Sequence, residues 1–76
     1  MRNCRKLSSL KEGESSIIER VKINGAMKCR LYELGFTNGT QVECVQRSFS
    51  GDPTAYYVKG TVIALRKEIS DGIIVV

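Results

Sequence analysis

The sequence predicts a mainly β fold: a small, strongly curved antiparallel barrel of about five strands, with one α-helix inserted after the first long strand. Three observations carry that reading. Branched and aromatic residues gather in short runs separated by turn residues. Only the stretch between Asn24 and Gly35 repeats its apolar residues at helical spacing. A chain of 76 residues also buries only about 60% of its unfolded surface, so its core must be small. With 42% apolar residues the chain is too apolar for disorder, and it is too short for a large enclosed cavity.

Leu7 and Leu10 form a short apolar lead-in, and Lys11-Glu12-Gly13-Glu14 reads as a turn. Ile17, Ile18, Val21 and Ile23 mark the first long strand, from about Glu14 to Lys22. The helix follows. Asn24 is its expected N-cap, Met27, Leu31 and Leu34 form its apolar stripe, and Gly35 is the residue past its end that can turn left-handed. Asn38-Gly39 is a turn, and Thr40 to Phe49 a long strand. Val42 and Cys44 share one face of that strand while Val45 and Phe49 fall on the other, which predicts a bulge or sharp bend. Tyr56-Tyr57-Val58 and Val62-Ile63-Ala64-Leu65 are two further strands joined by Lys59-Gly60-Thr61. One helical turn, Lys67 to Asp71, ends at Gly72 before Ile73-Ile74-Val75-Val76.

The net charge of +4 is uneven. Arg2, Arg5, Lys6 and Lys11 have no acid among the first eleven residues, and the remaining eight bases face eight acids. Residues 1–6 therefore read as a loose basic end and residues 7–76 as a single domain that is neutral from residue 12 onward. A nucleic-acid surface would need cations gathered over the fold beside stacking aromatics, so no nucleic-acid partner is expected. Cys4, Cys29 and Cys44 are odd in number and form no C-x-x-C pair, which argues against a disulfide framework and favours Cys29 and Cys44 as small core residues. No apolar run exceeds four residues, so neither a signal peptide nor direct membrane insertion is expected, and a cytoplasmic location follows.

No catalytic constellation stands out, and among the eight carboxylates nothing in the spacing selects a general acid/base pair. There is no histidine, the commonest general base near neutral pH. No phosphate-binding loop, dinucleotide fingerprint or nucleophile elbow occurs. No catalytic residue is assigned, and the expected protein is not an enzyme.

Gly51-Asp52-Pro53 holds the one proline. Proline fixes its own φ and biases Asp52 toward extended backbone, glycine permits positive φ, and the Asp carboxylate can bond its own turn. The tripeptide reads as a rigid structural corner.

These residues fall in a familiar order. Leu7-x-x-Leu10-x-x-Gly13, Ile17, Arg30-Leu31-x-x-Leu34-Gly35-Phe36-x-x-Gly39, Val42, Ser50-Gly51-Asp52-Pro53, Gly60-x-x-Ile63-Ala64-Leu65-Arg66 and Ile73-x-Val75 together resemble the FeoA family of ferrous iron transport protein A domains. The resemblance runs from Leu7 to Val75 in one register and implies an SH3-like barrel. It implies a free-standing bacterial accessory that docks on the GTP-binding FeoB-type membrane transporter and is recruited through it to the inner face of the membrane. The family's association with transition metals leaves an alternative, an iron-binding or iron-sensing module. The metal ligands are unknown, and with no histidine and no closely spaced ligand pair only weak Fe(II) binding is expected, with no cofactor. Two positions depart from the family pattern: Phe49 stands where proline is common, and Asn38-Gly39 where Pro-Gly is common.

Docking requires an apolar centre with a polar rim. Tyr32 lies off the helix stripe, and Phe49 and Tyr56 flank the corner, so these three are the candidate partner contacts. Arg2, Arg5 and Lys6 could add salt-sensitive attraction. A monomer or weak oligomer is expected. Proline-rich peptide recognition would need a groove of aromatics including tryptophan, which the chain lacks.

Overall fold

The computed structural model describes residues 4–76. Its strands are β1 (Arg5–Lys6), β2 (Ser15–Val21), β3 (Gln41–Arg47), β4 (Thr54–Val58), β5 (Thr61–Leu65) and β6 (Ile73–Val75). Helix α1 (Ala26–Leu34) crosses between β2 and β3, and the single turn α2 (Lys67–Ser70) leads into β6. All pairings are antiparallel, in the order β1-β6-β2-β3-β4-β5.

The strand count corrects the sequence reading by one. Arg5 and Lys6, read as part of a loose basic end, pair with Val75 and Ile74, and Arg5 makes an ion pair with Glu14. Two residues are too few to show a period, so only the partner strand reveals them as a strand. Arg2 lies outside the described residues.

Register sorts the apolar side chains. Val42 opposes Val58 and Cys44 opposes Tyr56, and all four are fully buried. Ile18 opposes Val75 and Val21 opposes Ile73 across β2 and β6, filling the same core with Leu7, Leu10, Leu31 and Phe36. The expected break in β3 lies at Val45, where the register shifts between Cys44 and Gln46 and the side chain turns outward. A second shift, between Ile18 and Arg20, lets β2 bend from β3 toward β6.

Helix α1 is held from its ends. Its N-cap is Gly25, not Asn24, and no side chain caps it, because the chain enters at φ 76°, ψ −152°. At the other end Gly35 has φ 110°. The Phe36 N–H donates to the Leu31 carbonyl at 2.9 Å and the Gly35 N–H to that of Tyr32 at 3.0 Å, the paired bonds of a Schellman end. A Cβ on Gly35 would stand 2.7 Å from Lys59 Cγ, so glycine is required twice here, for its φ and for the close approach of the β4–β5 hairpin. Of the predicted stripe, Leu31 is buried, Leu34 half-buried and Met27 exposed.

Candidate docking surface

The three aromatics singled out as contacts come to different places. Tyr56 is in the core, opposite Cys44, and cannot touch a partner. It follows Thr54 and precedes Val58 on the inward side of β4, and that alternation overrides its position beside the corner. Its hydroxyl lies beside Ser70 and Thr54 without a hydrogen bond of normal geometry, and burial pushes its pKa up. Tyr32 is half-exposed on α1, with the Lys28 ammonium 5.7 Å from its ring centroid. Phe49 stands entirely free in solvent at the tip between β3 and β4.

The corner beneath Phe49 is tied down on several sides. The Gly51 N–H donates to the Ser48 carbonyl at 2.9 Å, the Ser48 N–H to that of Pro53 at 3.1 Å, and Ser50 Oγ to that of Asp52 at 3.1 Å. Gly51 has φ 89° and the Asp52–Pro53 peptide is cis. The Asp52 carboxylate does not bond its own turn as expected. Its Oδ1 accepts the Lys67 N–H at 2.9 Å, so the corner caps the start of α2 across the fold. At the base of the corner, Arg47 donates through Nη2 to the carbonyls of Ser8 and Leu10, at 2.9 and 2.6 Å. Its N–H donates to Glu12 Oε2 at 2.7 Å.

Two carboxylates brace the N-terminal turn. The Lys11 N–H and Arg5 hold the Glu14 pKa below its ordinary value, and the Ser8 hydroxyl and Lys67 do the same for Asp71. Cys44 is buried and its thiol pKa is raised by desolvation, but Cys29 is exposed on α1, contrary to the core role expected for it. Among the described residues no three Asp, Glu, Cys or His side chains converge as a metal site.

Two of the surface depressions among the described residues bear on docking. A cleft of about 500 Å³ between the turns at Gly39 and Gly60 is of mixed polarity and mixed charge, with Glu43 and Lys59 on its walls beside Tyr57. A groove of about 350 Å³ runs between α1 and β5, lined by Met27, Leu31 and Leu34 on one side and Ile63 to Leu65 on the other. Sequence periodicity had assigned Met27 and Leu34 to the core stripe, and their partial exposure along this groove was the signal it missed.

A small antiparallel barrel that leaves several large apolar side chains exposed has the form of a binding module. The chain belongs to the FeoA domain family, whose model matches residues 5–76. It is 33% identical over 63 residues to a Fe(2+) transport protein A/Fe(2+) transporter FeoB fusion protein of Porphyromonas gingivalis, which covers 83% of this chain but only 8% of that relative. Iron(II) transport protein A of Clostridium thermocellum superposes with a TM-score of 0.87 at 35% identity, over 93% of this chain and 44% of that one. FeoA of Stenotrophomonas maltophilia, solved with zinc and described as a procaryotic SH3 domain protein, superposes with a TM-score of 0.83 at 33% identity, over 93% and 88% of the two chains. The barrel is thus SH3-like, in a domain linked to ferrous iron transport.

Proposed function

We propose that this chain is a non-enzymatic accessory of bacterial ferrous iron uptake that docks on the cytoplasmic, GTP-binding part of an FeoB-type transporter. The fusion relative carries the reading, since in it a stretch similar to this chain shares one polypeptide with FeoB. A linker holds such partners at high effective concentration, whereas separate chains must meet through a surface of their own. Phe49 and Tyr32 are the contacts retained from the sequence reading, and the exposure of both supports them. No helix among the described residues is long and apolar enough to cross a membrane, so recruitment to the inner membrane face runs through the partner. The chain works as a monomer or weak oligomer and takes no nucleic acid.

The test is binding of the purified chain to the full-length FeoB-type transporter of the same organism in lipid nanodiscs, with GTP, GDP or no nucleotide. Saturable binding in at least one state is expected, and its absence in all three would overturn the docking reading.

The zinc held by the S. maltophilia relative favours a second reading, direct binding of a transition metal. The scattered carboxylates and thiols of this chain support only weak Fe(II) binding. Anaerobic calorimetric titration with iron(II) is expected to show no stoichiometric submicromolar site.

A further inference from the structure

Building on the docking reading, we propose that the groove between α1 and β5 receives an extended, acidic and apolar segment of the transporter's cytoplasmic face, which adds as a strand to the open edge of β5. Strand β5 is the last in the sheet order. The strand at the opposite end of the order, β1, is only two residues long.

The register tells which backbone groups of β5 face outward. Lys59 and Gly60, at φ 50° and 82°, form the two-residue turn between β4 and β5. Val58 and Thr61 close that turn as a hydrogen-bonded pair. Hydrogen-bonded and non-bonded pairs alternate along an antiparallel ladder, so Ile63 and Leu65 also bond inward to β4. The N–H and C=O groups of Val62 and Ala64 then point to the open side, where an added strand would meet them.

The side chains suit an occupant of one chemistry. The groove has an apolar floor, and among the described residues its charged lining comes from Arg30 and Arg66. The carboxylate paired with Arg66, Asp52, lies 3.9 Å away and also accepts the Lys67 N–H. The Arg66 side chain keeps 67% of its exposure. A cationic rim over an apolar floor selects a segment that alternates apolar residues with Asp or Glu. An added strand needs about 4.8 Å beside β5 and a helix about 10 Å, and the open backbone groups of Val62 and Ala64 call for the strand. The mixed-charge cleft near Glu43 and Lys59 makes no comparable selection.

Ala64→Pro removes one outward N–H while leaving the inward ladder intact, as edge prolines do. Arg30→Glu reverses the rim charge on an exposed helix position. Both variants are assayed against the same full-length transporter in nanodiscs, after thermal melting confirms that they fold. The expected result is at least about tenfold weaker binding for each, with a flatter salt dependence for Arg30→Glu. Should Ala64→Pro fail to fold, Arg30→Glu decides alone. Wild-type binding with both folded variants within about twofold of it would overturn the groove as the seat while docking stood. No binding by the wild type would overturn both. A self-dimer of the wild type, dispersed by Ala64→Pro in sedimentation, would make the occupant a second copy and overturn the proposal.

Discussion

Phe49 and Tyr56 flank the same corner seven residues apart, yet one is wholly in solvent and the other wholly in the core. Both are aromatic and both stand beside Gly51-Asp52-Pro53, but Phe49 lies between two serines and Tyr56 within the run Ala55 to Val58. The difference comes from the ladder. Tyr56 opposes Cys44 within the paired part of β3 and β4, where every second side chain must face the interior. Phe49 lies two residues beyond the end of β3, where pairing has stopped and no such constraint acts. A ladder and the loop that closes it therefore treat the same kind of residue oppositely.

The largest test of that contrast is in the core. Tyr56→Ala should cost about 3–5 kcal/mol, against a total of about 4–11 kcal/mol for a domain of this size, and so leave the protein near its unfolding threshold. Urea denaturation measures it, and a loss under about 1 kcal/mol would mean that Tyr56 is not a core residue. Tyr56→Phe sharpens the point, because the hydroxyl makes no normal hydrogen bond; stability should hold within about 1 kcal/mol or rise.

An intermediate effect belongs to the corner's own anchor. Asp52→Ala removes the acceptor for the Lys67 N–H and should cost about 1 kcal/mol, seen as an earlier denaturation midpoint and faster amide exchange at Lys67. Unchanged exchange there would show that the corner does not cap α2.

Phe49→Ala is the smallest in stability, within about 0.5 kcal/mol of wild type, since the ring buries nothing in the free protein. Its effect should appear in transporter binding. A variant that melted well below wild type would place Phe49 with Tyr56 as a structural residue and undo the comparison.

Much of the fold was legible because its signals are local. The branched runs, the Asn38-Gly39 and Lys59-Gly60 turns, the left-handed end at Gly35 and the break at Val45 each follow from a few adjacent residues. The candidate site was less legible. Of the three aromatics named as contacts Tyr56 was misplaced, and the α1–β5 groove escaped notice because helical spacing put Met27 and Leu34 in the core.

The sequence by itself determined the kinds of element from β2 onward and their order, since these depend on residue type and short-range spacing. Tertiary structure alone decided the rest. It made Arg5 and Lys6 a strand by placing them beside β6, chose Gly25 over Asn24 as the N-cap, and sent the Asp52 carboxylate to α2. It also separated Phe49 from Tyr56. In each case the deciding partner lies far along the chain, and a residue's local preference is weaker than the requirement that buried polar groups be bonded and that side chains on a paired strand alternate.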